Sequence, residues 1–261
     1  MSKESKRVLD AVKFLRQEGY EPVFVALYGS QNYGMADETS DIDLKAAVVP
    51  KFDDVVRGLP MVSKDLEFED GLIDVKDIRL LVNSWKKQNP NFMEILFTKW
   101  QWVNSLYPSM NWFILNREAI AHANEAQAIN AMRGMMNQKY SHLFHDTPAQ
   151  HDVIEKYGYS GKQLSHLCRL LEFMSKYKAM DYEKLLVPDS PEDYVAIKRH
   201  DPVLPVEEVK ELAESWMQQG DRIADDLLKK ADPPNDHLMY WMDEVKFKIV
   251  SDALRKEIML K

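Results

Sequence analysis

The sequence predicts an α+β protein: a mixed sheet with helices in the N-terminal part, followed by an all-helical half. Two observations support this prediction. Short apolar or alternating segments, which are typical of strands, occur only before about residue 110. Beyond that point apolar residues recur at helical spacing, and proline-containing loops separate the helical segments. The predicted domains are therefore residues 1–110 and 111–261.

The first predicted elements are one helix and two strands. Residues 5–18 carry apolar side chains at helical spacing, and Gly19 is placed to end this helix. The run PVFVALYGS, residues 22–30, predicts a buried strand. The run DIDLKAAVVP, residues 41–50, predicts a second strand that ends at its proline.

A hairpin and several helices are predicted next. The segments DLEFE and LIDVKDI alternate in polarity, and Asp70-Gly71 between them is a strong hairpin turn signal. Two short helices are predicted at residues 78–87 and 92–98. The long helical patterns of the second half cover residues 113–144, 159–178, 206–230 and 236–258.

Composition and charge restrict the class of protein. The chain has 45% hydrophobic and 29% charged residues, which is ordinary for a globular protein. The net charge of -8 argues against broad non-specific binding to a phosphate backbone, although it leaves a local basic groove possible. With a single cysteine, no signal peptide and no long apolar run, we expect a soluble cytoplasmic protein without a membrane partner.

The chemistry is indicated by the segment GSQNYGMADETSDID, residues 29–43. Asp41 and Asp43 are two positions apart in a predicted strand, so their side chains should project from one face. Two like charges at close range need a cation, and Mg²⁺ binds one or two protein carboxylates together with phosphate oxygens. Gly29 lets the backbone approach a phosphate closely, and Ser30 can offer a hydroxyl and an amide hydrogen where a short helix is expected to begin. The alternative interpretation of an isolated D-x-D is a solvated strand edge.

The motif carries a family resemblance. A Gly-Ser turn, ten residues and D-x-D resemble the nucleotidyltransferase signature of the DNA polymerase β superfamily. S-x-x-Y-G followed by S-D-I-D resembles a family of predicted nucleotidyltransferases suggested to act in RNA repair. The segment IDVKDIRLLVNSWKKQNPNFMEILFT is similar to that family's third-carboxylate strand and the elements after it, which implies that Asp74 is the third metal ligand.

Two points leave this assignment open. Glu67, Glu69 and Asp77 are nearby carboxylates, and Asp77 is also placed to cap the following helix. The family often has Arg-Gly after its aspartate strand, where this chain has Lys45-Ala46.

The helical half contains a basic helix face within an acidic protein. Lys162, His166 and Arg169 lie on one side of the predicted helix 159–178, opposite its apolar residues. An ordinary solvated face is the plain alternative, and a structural hydrogen bond is the alternative for His166. K-x-x-x-H-x-x-R-L resembles a motif in the helical half of the same family, which implies contacts with nucleotide phosphates. Lys139 and Lys198 are weaker candidates.

The resemblance implies a metal-dependent nucleotidyltransferase with a polymerase-β-like N-terminal domain and a helical domain that closes the nucleotide cleft. It would use two Mg²⁺ or Mn²⁺ ions to move a nucleoside monophosphate from an NTP to an acceptor hydroxyl, such as an RNA or tRNA end. The acidic net charge fits a protein acceptor at least as well, which would make the chain a protein AMP-transferase. A catalytically silent nucleotide-binding module is the third possibility.

Overall fold

All strands in the part of the chain that the structure describes precede residue 104. The structure is a computed structural model that describes residues 1–38 and 40–260. It confirms the α+β class, with one mixed five-stranded sheet and many helices. The strands are β1 (Pro22–Leu27), β2 (Leu44–Val48), β3 (Ser63–Phe68), β4 (Gly71–Asp77) and β5 (Gln101–Val103).

The helices occur in both the sheet region and the C-terminal half. They are α1 (Lys3–Gln17), α2 (Phe52–Val56), α3 (Ile78–Lys86), α4 (Pro90–Met93), α5 (Asn111–Leu115), α6 (Arg117–Ala121), α7 (Glu125–Ser141), α8 (His151–Tyr157), α9 (Gly161–Lys176), α10 (Tyr182–Leu185), α11 (Pro191–Arg199), α12 (Val206–Leu228) and α13 (Asp236–Leu260). Short 3-10 helices cover Glu94–Leu96 and Pro108–Met110.

The chain forms two compact units. Unit 1 consists of Met1–Asn32, Thr39–Asn124 and Pro234–Lys261, and unit 2 consists of Tyr33–Glu38 and Glu125–Pro233. Each unit therefore combines stretches that are distant in sequence. These units describe how the chain packs. The predicted catalytic domain, residues 1–110, and the predicted helical domain, residues 111–261, stay a prediction.

The sheet of unit 1 has the strand order β3-β4-β2-β1-β5. β2 pairs in parallel with β4, and every other neighbouring pair is antiparallel. Leu44 lies opposite Ile73 in the parallel pair, and Lys45 lies opposite Asp74. The central strands β1 and β2 are buried along their full length, as expected for strands covered on both faces.

Helix α1 covers one face of the sheet. Its side chains Val8, Ala11, Val12 and Leu15 are buried in the same core cluster as alternate residues of β1, β2 and β4. Because side chains alternate along a strand, Lys45 and Asp74 belong to the opposite face. The packing of α1 thus leaves the polar positions of β2 and β4 on the side away from this helix.

Helices α3 and α13 complete unit 1. Ile78, Leu81, Val82 and Trp85 of α3 are buried, and α13 packs against α3. The Lys86 ammonium forms a 2.6 Å ion pair with Asp243 of α13. The Phe52 amide at the start of α2 donates a 2.7 Å hydrogen bond to Glu257 near the end of α13.

Unit 2 is helical. Helices α7, α9 and α12 pack against one another, and α11 packs against α9. The short stretch Tyr33–Glu38 belongs to this unit, where Gly34 lies beside Pro191 and Val187.

The two ends of the long stretch of unit 2 lie close together. The Glu125 carboxylate accepts a 2.8 Å hydrogen bond from the Asp232 amide. The Lys178 ammonium bonds the same carboxylate at 2.5 Å and the Lys230 carbonyl at 2.8 Å. Within unit 1, the Asn235 amide donates a 2.8 Å hydrogen bond to the Ala123 carbonyl.

Over the described part of the chain, none of the helices combines the length and apolar character that a bilayer span requires.

Candidate active site

Asp41 and Asp43 precede β2, which begins at Leu44. The prediction that they lie inside the strand was therefore wrong by a few residues. Asp43 is nevertheless fixed by both neighbours of β2. Its carbonyl accepts a 3.2 Å hydrogen bond from the Tyr28 amide after β1, and its Oδ1 accepts one of 3.1 Å from the Leu72 amide of β4.

Arg7 of α1 holds the connection between the two aspartates. The Arg7 side chain is buried, and its guanidinium donates a 3.3 Å hydrogen bond to the Ile42 carbonyl. The same group pairs with Glu69 and with Asp70, at 2.8 Å for the latter, in the hairpin between β3 and β4. One cation of the first helix therefore positions both the D-x-D segment and the hairpin. This role could not be predicted from the sequence, because an arginine is ordinary in an amphipathic helix such as α1.

The Asp41 and Asp43 carboxylates fit a divalent cation. Asp41 is exposed and Asp43 is half-buried. No ion pair joins either of them to a lysine or arginine among residues 1–38 and 40–260. Asp43 keeps its second oxygen available, because only Oδ1 accepts the Leu72 amide. Two carboxylates without a protein counter-ion match the donor set that Mg²⁺ prefers.

Asp74 has a different environment. Its Oδ2 lies 2.9 Å from the Lys45 ammonium, and its Oδ1 lies 3.1 Å from the Lys76 ammonium. Both carboxylate oxygens are therefore occupied by positive charge, and Asp74 in this arrangement does not fit the role of a metal ligand. In the described residues, no group of three or more Asp, Glu, His or Cys side chains is arranged to hold an ion.

Lys45 is buried between two aromatic rings. Its ammonium lies 3.8 Å from the centre of the Tyr28 ring and 4.4 Å from that of Phe92. Cation–π contacts of this kind strengthen when water is excluded, and only 6% of Lys45 is exposed. The Tyr28 pKa is raised by burial and then by the negative charges of Asp43 and Asp74.

The Gly29-Ser30 turn lies directly after β1. Gly29 has a φ of 85°, a left-handed conformation that favours glycine, and its carbonyl accepts a 2.9 Å hydrogen bond from the Asn32 amide. The Gly29 amide donates a 3.4 Å hydrogen bond to Oε2 of Glu94. Residues 30–34 form turns and not the start of a helix. Ser30 is half-buried.

Glu94 is a residue of this site that the sequence reasoning did not single out. It is 1% exposed and lies between the apolar residues Met93 and Ile95. A carboxylate within such an apolar run was the signal that could have identified it, because acidic groups are rarely fully buried without a partner.

The predicted basic helix face lies in unit 2, where Arg169 is its most unusual member. Arg169 is 7% exposed, and its guanidinium stacks over the Tyr33 ring at 3.8 Å. Its Nε has no hydrogen-bond partner. The alternative of an ordinary solvated face is therefore wrong for Arg169, because this cation is buried in the described structure without a carboxylate partner.

Other basic groups of unit 2 lie near Arg169. The His166 pKa is lowered to about 3 by burial and then by the charges of Arg169, Lys139, Lys162 and Lys198. Burial, Lys162 and Arg169 also lower the Lys139 pKa. The structure thus brings together the three predicted basic residues of α9 with Lys139 of α7 and Lys198 of α11. We call these five residues the basic cluster.

Two members of the basic cluster differ in their surroundings. Lys162 is exposed, whereas the Lys198 ammonium pairs with Asp37 at 3.3 Å. Asp37 also pairs with Arg199. Because Asp37 carries a single negative charge and shares it between two cations, the basic cluster keeps an excess of positive charge.

Gly161 explains how α11 reaches the start of α9. A β-carbon at Gly161 would lie 2.5 Å from the Ile197 carbonyl oxygen and 2.7 Å from that of Lys198. Only glycine permits this approach, which brings Lys198 beside the first turn of α9. The sequence analysis did not assign this role to the glycine, because the contact is with residues far along the chain.

No protein-family model matches the chain, and no curated protein matches it. A nucleotidyltransferase-like protein from Exiguobacterium sibiricum has a similar solved structure, with 10% sequence identity and a TM-score of 0.31. The match covers 87% of this chain and 77% of that protein. Because the TM-score is below 0.5, the interpretation of the site rests on the residues described above.

Proposed function

We propose that the chain is a metal-dependent nucleotidyltransferase. The observation that carries the proposal is the pair Asp41 and Asp43 at the start of the central strand β2. These carboxylates have no lysine or arginine partner in the described structure, and Leu72 and Tyr28 hold Asp43 in place. The resemblance of the Gly-Ser and D-x-D motif to the polymerase β superfamily supports the same chemistry.

In the proposed reaction, an acceptor hydroxyl oxygen bonds to the α-phosphorus of an NTP. The bond from that phosphorus to the oxygen bridging to the β-phosphate breaks, pyrophosphate leaves with the electron pair, and the hydroxyl proton passes to water. Asp41 and Asp43 would hold Mg²⁺ or Mn²⁺, which supplies charge stabilisation and orientation when bound. The protein contributes positioning: Leu72 fixes one oxygen of Asp43, and Arg7 fixes the Ile42 carbonyl beside it.

The basic cluster supports binding of phosphate groups. Arg169 is buried without an acidic partner, and a phosphate would supply the missing negative charge. Lys162 and Lys139 add further positive charge, while the low His166 pKa keeps that imidazole neutral and able to donate or accept one hydrogen bond. We propose that Arg169 and Lys162 bind phosphate groups, with a neutral His166 beside them.

We propose an RNA end, such as that of a tRNA, as the acceptor, following the resemblance. The net charge of -8 gives a protein hydroxyl a comparable basis, and the experiment below separates the two. A catalytically silent nucleotide-binding module is favoured by one observation, namely that Lys45 and Lys76 occupy both oxygens of Asp74.

Incubation with each labelled NTP and Mg²⁺ or Mn²⁺, with total RNA and total protein as acceptors, tests the proposal. We expect label in RNA that nuclease removes and protease leaves. The D41N and D43N variants should lose transfer at least about 100-fold while keeping their fold, whereas D10N on the surface of α1 should remain active. Label that only protease removes would indicate protein modification. Nucleotide binding without any transfer would indicate the silent module.

A further inference from the structure

We infer that the Lys45 ammonium takes the place of a second divalent ion at Asp74, so that the site holds a single ion at Asp41 and Asp43. This inference rests on the proposed function and deepens it. It departs from the two-ion expectation, because the third carboxylate is present in the chain but is engaged by lysine.

The pairing register fixes the position of Lys45. Lys45 and Asp74 are direct partners in the parallel ladder between β2 and β4, and the ammonium lies 2.9 Å from Oδ2 of Asp74. Both residues belong to central strands, so the contact depends on the rigid part of the sheet. The pair is therefore a built feature of unit 1.

Aromatic rings hold the ammonium from two directions. Tyr28 and Phe92 lie 3.8 Å and 4.4 Å from it, and the side chain has little access to water. A cation held in this way is pre-organised, because its location is already determined before any ligand binds.

Charge balance disfavours a divalent ion at the same place. Among the groups that contact one another there, Asp74 contributes one negative charge, whereas Lys45 and Lys76 contribute two positive charges. An added Mg²⁺ would have to displace an ammonium from a carboxylate oxygen and would be repelled by the remaining one. Lys45 would instead supply positive charge close along the chain to Asp43, which is two residues away.

Counting bound Mn²⁺ tests the inference directly. Titration of the whole chain, followed by calorimetry and by the electron paramagnetic resonance signal of free Mn²⁺, should show one bound ion. D43N should lose this ion and D74N should keep it. The numbers of ions bound by the unaltered chain, by D43N and by D74N decide whether one or two ions bind, and Lys45 is present in all three proteins.

The K45M variant gives a second test, since methionine fills similar space without charge. We expect transfer by K45M to fall at least tenfold at low Mn²⁺ and to recover at high Mn²⁺, with a second ion bound at the released Asp74. A merely structural role for Lys45 would not produce rescue by the ion. K64M on the neighbouring strand β3 is the matched control and should behave as the unaltered chain.

Each result has a distinct meaning. Two ions in the unaltered chain, with one lost in D74N, would overturn the inference while leaving the proposed function intact. No ion lost in D43N, together with no transfer, would overturn the proposed function and this inference with it. Failure of K45M to recover at high Mn²⁺ while remaining folded would also count against Lys45 as a substitute for an ion.

Discussion

A buried cation without an acidic partner costs stability, and Arg169 is such a cation in the described structure. Its Nε is unsatisfied and its only described stabilising contact is the Tyr33 ring. Bound phosphate would provide charge-assisted hydrogen bonds to this guanidinium. Arg169 is thus the residue of unit 2 whose role in ligand binding is easiest to test.

Replacement of Arg169 by methionine should weaken ATP binding. A hydrogen bond to a charged group is worth about 1.5–3 kcal/mol, which corresponds to a rise in Kd of roughly 10- to 150-fold. Calorimetry of ATP binding measures this change, and circular dichroism checks the fold. R133M is the matched control, because Arg133 pairs with Asp225 on the surface of α7 and α12. Unchanged ATP affinity in R169M would remove the phosphate role.

His166 makes stability depend on pH. Its pKa falls from 6.5 to about 3 on folding, because burial and the surrounding cations Arg169, Lys139, Lys162 and Lys198 oppose protonation. Below pH 6.5, His166 therefore binds a proton in the unfolded chain but stays neutral in the folded state until the pH approaches about 3. The stabilisation is present above pH 6.5 and is lost as the pH falls, by up to about 1.4 kcal/mol per pH unit.

Urea unfolding at about pH 7 and about pH 5 measures this effect. The unaltered chain should lose more free energy of unfolding between these values than H166Q does. A smaller slope should persist in H166Q, because burial also lowers the His200 pKa. Equal slopes in the two proteins would show that folding does not lower the His166 pKa.

Local patterns predicted individual residues better than their partners. Spacing alone brought together Lys162, His166 and Arg169, because residues on one helix face follow from its period. The pairing of Lys45 with Asp74 was beyond reach, since it depends on the register of two strands separated by a helix and a hairpin strand. The burial of Arg169 likewise depends on Tyr33, which is distant in sequence.

At the scale of elements, the junction of α9 and α11 depends on a glycine. G161A should destabilise the protein by about 1–3 kcal/mol, because its methyl group would overlap two carbonyl oxygens at the end of α11. The G134A variant is expected to be more stable than the unaltered protein. Gly134 lies inside α7 with nothing within 4 Å of an added β-carbon, so alanine should stabilise by about 0.5–1 kcal/mol.

Chemical denaturation of both glycine variants measures the difference in free energy of unfolding. A neutral or stabilising G161A would mean that α11 is not held against the start of α9. The two substitutions are chemically identical, so any difference between them arises from their surroundings.

Long regular elements were predicted well and short ones poorly. The helix α1, the hairpin strands β3 and β4 and the helix α3 agree with their patterns. The three-residue strand β5 was missed, because so short a segment has no period to detect. The pattern over residues 113–144 was predicted as one helix but forms three, α5, α6 and α7, with Asn116 between the first two.

At the scale of the whole molecule, unit 1 needs both ends of the described chain. Removal of residues 234–261 would expose the apolar surface that Met242 and Ile249 cover, and it would remove the partner of Lys86. Each lost side chain is worth about 1.5–3 kcal/mol of burial, against a total stability of about 5–15 kcal/mol. We expect the truncated protein to lose the cooperative structure of unit 1.

Hydrogen exchange followed by mass spectrometry tests this expectation by region. Peptides from β1 to β5 should lose protection, while peptides from residues 125–233 should retain it. F247A is the control on the same helix, because Phe247 is exposed and its loss should leave protection unchanged. A truncated chain with a fully protected sheet would contradict the role assigned to α13.

The sequence predicted the succession of a sheet region and a helical region but not how the stretches combine. Placement of the last helix with the sheet, and of residues 33–38 with the helices, depends on tertiary packing alone. The apolar residues of α13 are spread around the helix, with Met242 and Ile249 buried but Trp241 and Phe247 exposed, so the sequence does not indicate which of them are covered.

The adjacent ends of residues 125–233 have an evolutionary meaning. Asn235 bonds Ala123 at 2.8 Å, while Glu125 and Asp232 are bonded at the same distance just beyond them. A bridge of about two residues would therefore reconnect the chain if the intervening helices were excised. An insert whose ends are adjacent can be lengthened or shortened between them without moving the strands that precede it. Relatives that retain the sheet could thus carry quite different inserts at this point.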